Sequence, residues 1–118
     1  MAGCMLQASG KGFRAADFIA KHPITGARDK GSLLVVLVSD KDGADLPGQI
    51  ADAIFFLSTN SEALRALVEE FGCTASLNFG VWQKKGTLSQ TVSFPASLIA
   101  TAGALRIGID VSLYVAEP

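Results

Sequence analysis

The sequence predicts an α+β fold: a single twisted, mainly antiparallel sheet with helices packed on one face. Apolar residues recur at every second position in 75–81 and 107–115, which is the period of a strand with one buried face. They recur at three- and four-residue spacing in 50–57 and 64–71, which is the period of a helix that buries one face. The predicted order is strand, helix, strand, helix, helix, strand, strand, helix, strand. Because helices and hairpins mix, we assign residues 1–118 to one α+β domain.

The first third of the chain predicts a strand, a helix and a second strand. Residues 4–8 form the first strand, and residues 14–22 form a short helix that ends before Pro23, since proline disfavours helical geometry in the residue before it. Residues 23–31 are predicted to be a loop. The apolar run at 33–38 does not alternate, so this strand is expected either to be covered on both faces or to lie centrally in the sheet.

A helix in two parts is predicted next. Pro47 suits the first turn of a helix, and the sequence breaks at 58–61. Thr59 and Glu62 have the spacing of a capping box for the second part. Gly72 is expected to end it in the left-handed conformation.

The last third predicts a hairpin, a helix and a final strand. A strand follows Cys73, residues 83–86 form a turn with Gly86 at positive φ, and residues 88–94 return as a second strand. Pro95 opens a third helical region. In the final strand, 107–115, all odd positions are apolar, and we expect them to be buried.

The even positions of that strand are small or polar, and they predict a surface. Asp110, Ser112 and Tyr114 are expected to lie on an open face of the sheet. Trp82 falls on the same kind of face, beside Lys84, where an exposed aromatic side chain could anchor a partner. The alternative for Trp82 is packing across a neighbouring strand or the stem of Lys84.

Composition excludes several classes of protein. The chain is 49% hydrophobic and 18% charged with a net charge of −1, which is globular and has no basic stripe for nucleic acid. No apolar run approaches the ~18 residues that cross a membrane, and the start does not resemble a signal peptide. Cys4 and Cys73 are expected to be buried free thiols in a reducing, cytoplasmic environment.

Residues that carry chemistry are sparse. The only histidine is His22, and the two cysteines are far apart, so we predict no metal site and no cofactor. The acidic loop 40–45 has its glycine at the fourth position and lacks the closing glutamate of a calcium loop. We find no catalytic set of residues, and the prediction favours a protein that is not an enzyme.

The second half resembles a bacterial family catalogued as domain of unknown function 4279. The resemblance is carried by SEALRALVEEFG (61–72), the segment that follows it, and VSFPASLIATAGALRIGIDVSLYV (92–115). The early stretch 6–20 loosely matches that family's first strand and helix. The resemblance implies no activity, catalytic residue or cofactor, and suggests for some relatives a role as immunity proteins that bind toxins.

Three functions are consistent with these observations. The first is a protein-binding module whose surface includes Trp82, Lys84, Asp110, Ser112 and Tyr114. The alternative is a small-molecule binder or weak hydrolase on the polar sheet face, with a site at Asp110, Ser112 and Tyr114 that is formed either with or without His22. The third is a homodimer, held by Phe55 and Phe56 or by an unprotected edge strand.

Overall fold

The computed structural model describes residues 3–115, and the predicted α+β class is confirmed. Within that range no helix is long and apolar enough to cross a membrane. The elements in chain order are β1 (Gly3–Ser9), α1 (Ala15–Lys21), β2 (Ala27–Asp29), β3 (Leu33–Ser39), α2 (Leu46–Thr59), α3 (Ser61–Glu69), β4 (Thr74–Gln83), α4 (Ala96–Ala104) and β5 (Ile107–Val115).

The strands form one sheet in the order β2-β3-β1-β4-β5. β1 is antiparallel to both β3 and β4, and β2 is antiparallel to β3. The pair β4–β5 is parallel, because α4 carries the chain back to the starting end of β4 before β5 begins. The sheet is therefore mainly antiparallel, as predicted, with one parallel pair at an edge.

The predicted hairpin after Cys73 is wrong. Residues 84–95 form a loop, and the edge of β4 that the returning strand would have used is paired with β5. Gly86 has φ +72°, as predicted for a turn, but the turn belongs to this loop. The predicted loop at 23–31 in turn contains the short strand β2.

The core lies on one face of the sheet, beneath the helices. Alternate residues of β1, β3 and β4 are buried there, and the helices contribute large apolar side chains that each stabilise the fold by about 1.5–3 kcal/mol when fully buried. Both cysteines belong to this core as free thiols, as predicted. The strand residues are Cys4, Leu6, Ala8, Leu34, Val36, Ala75, Leu77 and Phe79, and the helical ones include Phe18, Leu57, Leu64, Leu67 and Leu98.

The helix boundaries follow local chemistry. Pro47 lies in the first turn of α2, as predicted, and the Asp45 carboxylate caps this helix by accepting from the Gly48 N–H at 2.9 Å. The predicted capping box is wrong: Thr59 is the last residue of α2, and Asn60 precedes α3 without a side-chain cap. Gly72 has φ +68° just after α3, as predicted.

Of the two alternatives predicted for β3, the internal place in the sheet holds: β3 has a strand on each side, and 46% of Leu37 is exposed on the face away from the helices. The last strand is less covered than we predicted. In β5 the odd-numbered row is buried only where α4 lies over it. Exposure rises from 4% at Ile107 to 38% at Val111 and 54% at Leu113. Helical cover within residues 3–115 therefore stops before the second half of β5.

Candidate functional site

The parallel pairing of β4 with β5 brings the predicted surface residues together. Tyr114 is the register partner of Trp82, and Ser112 is the partner of Gly80. Register partners in a sheet project from the same face, so these residues and Asp110 share one face. Asp110 is exposed, Ser112 is partly exposed and Tyr114 is 46% exposed. We call the surface formed by Asn78, Gly80, Trp82, Asp110, Ser112 and Tyr114 the open face.

Trp82 on the open face is only partly exposed, because it packs against the backbone of Gly43. The backbone N–H of Trp82 donates to the Gly43 carbonyl at 3.1 Å. A β-carbon added at Gly43 would lie 2.3 Å from the indole Cδ1, so the ring occupies the space that a side chain there would need. Trp82 therefore has a structural contact, which is with the Gly43 loop where the alternative expected a neighbouring strand or the Lys84 stem, and its role as an anchor for a partner stays a prediction.

The acidic loop 40–45 is held against β4 by Gln49, whose role was not predicted. Its Nε2 donates to the Asp42 carbonyl at 3.0 Å and to the Gly80 carbonyl at 2.8 Å. The side chain is fully buried, and its Oε1 has no hydrogen-bond partner within residues 3–115. A signal was present in the sequence, since Gln49 sits four residues before the buried Ala53 on the apolar face of α2.

The carboxylates of loop 40–45 support local turns. The Asp42 Oδ1 accepts from the Ala44 N–H at 2.9 Å, and Asp45 caps α2. In the part of the chain that the structure describes, no group of three His, Cys, Asp or Glu side chains could hold a metal ion.

The loop 84–95 is tied to the end of β4 by Gln90. The Gln90 Nε2 donates to the Trp82 carbonyl at 3.0 Å, and its Oε1 accepts from the Lys84 N–H at 2.8 Å. Further along, Phe94 packs on Phe79 with ring centroids 5.0 Å apart. Gln90 interrupts the alternation in the sequence because its amide closes this loop. Lys84 itself lies just beyond β4, at the rim of the open face.

A groove of about 640 Å³ opens between this loop, the end of β4 and the start of α2. Its volume is in the range of small-ligand pockets. Trp82 and Lys84 contribute to both the groove and the predicted surface. The groove is lined by Gly43, Ala44, Leu46, Val81, Trp82, Gln83, Lys84, Lys85, Thr87, Gln90, Thr91 and Val92.

His22 does not meet the open face. It follows α1 and packs beside Phe18 and Phe71, with ring centroids 5.5 and 6.4 Å away. These rings belong to the helical side of the sheet, opposite Asp110. The arrangement in which His22 joins the alternative site is therefore not assembled, whereas Asp110, Ser112 and Tyr114 do share the open face.

A second polar cluster lies between the sheet and α2. The Ser39 hydroxyl donates to Asp52 at 2.7 Å, and the Lys41 Nζ is 3.6 Å from the same carboxylate oxygen. Burial, and secondarily the charge of Asp52, raises the pKa of the Cys4 thiol to about 12. A thiol that stays protonated is a poor nucleophile. Burial and the nearby Asp52 carboxylate therefore favour a structural role for Cys4 over a reactive one.

Only one of the two phenylalanines predicted at a dimer contact is accessible. Phe55 is 72% exposed, whereas Phe56 is 8% exposed and packs in the core. Adjacent helix positions diverge by about 100°, so the two rings could not both have faced a partner. Phe55 is the only member of the pair that can contact another molecule.

No protein-family model, curated protein or solved structure matches this chain. The resemblance to domain of unknown function 4279 therefore stays a prediction, and the open face and the groove carry the functional argument.

Proposed function

We propose that this chain is a non-enzymatic protein-binding module whose partner docks on the open face around Trp82 and Tyr114. The supporting observation is the pairing of these two residues in adjacent strands, next to a groove that could accept a partner's side chain. Tyrosine and tryptophan are the side chains most often found at the energetic centre of interfaces. Their amphipathic rings also tolerate exposure before the partner arrives.

The polar groups around these rings give the docking surface a rim. Asp110 lies on one side, and Lys84 and Lys85 lie at the groove. Charges of both signs at a rim affect specificity and association rate more than affinity. The resemblance to a family with suspected immunity proteins would make the partner a toxin, and this identity is part of the proposal.

Tyr114→Ala is the decisive variant. Tyr114 is 46% exposed on an edge strand, so its truncation should leave the fold intact while weakening capture of the partner. Loss of a central aromatic side chain typically costs about 2 kcal/mol, or roughly thirtyfold in Kd. Trp82→Ala should weaken binding too, but it also removes the contact with Gly43 and is the less selective probe.

The test is affinity capture with the immobilised protein, followed by titration of the purified partner. Phe55→Ala is the matched control, because Phe55 is an exposed aromatic residue on α2, away from the open face. We expect the wild type and Phe55→Ala to bind the same protein with equal Kd, and Tyr114→Ala to bind it weakly. Equal binding by all three would refute a partner site on the open face.

A small-molecule ligand in the groove is the second candidate, and the groove volume favours it. A ligand present at 100 times its Kd should stabilise the fold by about 2.7 kcal/mol, which a thermal-shift screen detects. Leu46→Lys would place a charge at the groove wall and should abolish such a shift. A shift that persists in this variant would place the ligand elsewhere.

A further inference from the structure

Within residues 3–115, β5 is an edge strand that lacks the usual protection against pairing. It is nine residues long, contains no proline or lysine, and has Asp110 as its only charged residue. The opposite edge differs, because β2 has three residues and two of them, Arg28 and Asp29, are charged. Natural proteins shorten or charge their edge strands to prevent association. This sheet therefore blocks one edge and leaves the other available.

Exposed apolar side chains gather around the same edge. Val111, Leu113 and Val115 are 38%, 54% and 80% exposed on the helical side of β5. Ile99 on α4 is 53% exposed. Successive helix positions are about 100° apart, so Ile99 and Thr101 lie on nearly opposite sides of α4. Thr101 lines the crevice toward α2 and α3, and Ile99 therefore lies on the side of α4 away from those helices. These four residues border the space beyond β5.

We propose that β5 pairs antiparallel with β5 of a second copy of this chain, with Val111 on the two-fold axis, to form a ten-stranded sheet. In this register the residue numbers of opposed positions sum to 222. On the helical side Ile109 then faces Leu113 of the second copy, and Val111 faces its own equivalent. Helix α4 of each copy, which covers the first half of its own β5, is brought beside the uncovered second half of the other.

The register is complementary on the open side as well. Asp110 faces Ser112 of the second copy, and Tyr114 faces Gly108, where an aromatic ring can cover the glycine. A shift of the axis to Asp110 would oppose two carboxylates directly, which is destabilising. In this register apolar residues face apolar residues and the two carboxylates are not opposed, so the strand can form the isologous contact of a two-fold dimer.

Among residues 3–115, the other exposed leucine and phenylalanine side chains do not border β5. Phe55 is on α2, Leu88 is in the 84–95 loop, and Leu37 is on β3, which β1 and β4 separate from β5. Pairing β5 over its length would form about 8–10 backbone hydrogen bonds. The contact uses the strand edge, the apolar row on the helical side, and the open-side pairs of Asp110 with Ser112 and of Tyr114 with Gly108. It is argued without the proposed function, and it leaves both copies of Trp82 accessible on one side.

The first test is the association state of the full chain by sedimentation from about 1 to 100 µM. We expect a dimer of twice the 12.3 kDa chain mass. Leu113→Lys puts a charge on the apolar row and should raise the dimer Kd at least about tenfold. Leu88→Lys is the matched control and should leave it unchanged. A monomer at every concentration, or equal effects of both variants, would overturn the proposal.

The second test fixes the register by cysteine cross-linking. Val111→Cys places two thiols opposite each other at the axis, and mild oxidation should give a covalent dimer. Leu113→Cys is the control, because its thiol faces Ile109 instead and should remain uncoupled. The native cysteines are buried, which keeps the background low. Cross-linking of Leu113→Cys in place of Val111→Cys would contradict this pairing.

Discussion

Replacing Gly43 with alanine should destabilise the protein, because Trp82 already fills the required space. The new β-carbon would lie 2.3 Å from the indole Cδ1 and 2.7 Å from the Trp82 backbone nitrogen. The indole can rotate, but the nitrogen is part of β4. The loop must therefore move away from the strand, which weakens the bond from the Trp82 N–H to Gly43 and the Gln49 bond to Asp42.

The size of the effect follows from these contacts. Each weakened hydrogen bond contributes about 1 kcal/mol, and overpacking a tight site costs about 1–3 kcal/mol. We expect the free energy of unfolding to fall by about 2–4 kcal/mol, a substantial part of the 5–15 kcal/mol typical of a domain. The corresponding decrease in Tm is about 10 °C.

Urea unfolding followed by circular dichroism and by fluorescence of the single tryptophan measures this change. Gly103→Ala is the control, because Gly103 is exposed in α4 with no heavy atom within 4 Å of an added β-carbon. That substitution should stabilise the helix by up to about 1 kcal/mol. The two alanine variants should thus shift the urea midpoint in opposite directions. A Gly43→Ala midpoint equal to that of the wild type would refute the packing of loop 40–45 on β4.

Three further predictions test other contacts. Since the pKa of Cys4 rises from 9.0 to about 12 on folding, the unfolded chain loses this proton first as pH rises. The free energy of unfolding should then decrease above pH 9 by up to about 1.4 kcal/mol per pH unit, and urea titrations of Cys4→Ala should show a smaller slope. Gln49→Leu leaves two carbonyl groups without their donor and should cost about 2 kcal/mol or more in urea unfolding. In sedimentation, Ser112→Lys should tighten the β5 dimer and Ser112→Glu should weaken it, because residue 112 faces Asp110 of the second copy. Each such cross-strand pair contributes about 0.2–1 kcal/mol. Changes of the same sign in the two variants would contradict that register.

The faces of β4 and β5 were predictable from the sequence, but their adjacency was not. Alternation shows that Trp82 and Tyr114 each point away from the apolar row of their own strand. It does not show which strands are neighbours, and the predicted hairpin would have placed residues 88–94 beside β4. Those residues alternate only weakly around Gln90, and β5 offers a longer apolar row for the same edge.

Hydrogen bonds from a side chain to distant backbone groups could not be predicted from the sequence either. Gln49 appears in the sequence as a polar residue on an apolar helical face. Its acceptors are the carbonyls of Asp42 and Gly80, and Gly80 is 31 positions away. Backbone acceptors have no side-chain signature, so the sequence can suggest that a buried amide needs partners without showing where they lie. The incomplete cover of β5 was missed for a different reason, since the length of α4 limits how much of the strand it can shield.

The position of β5 also affects how the native state opens. It is the last described strand and has one neighbour, so it can separate while β2, β3, β1 and β4 stay paired with one another. Partial openings of this kind need less free energy than global unfolding. Amide protons of β5 should therefore exchange with solvent sooner than those of β1, which is enclosed on both sides. Pairing with a second copy would slow that exchange, and the strand's own protection would then depend on protein concentration.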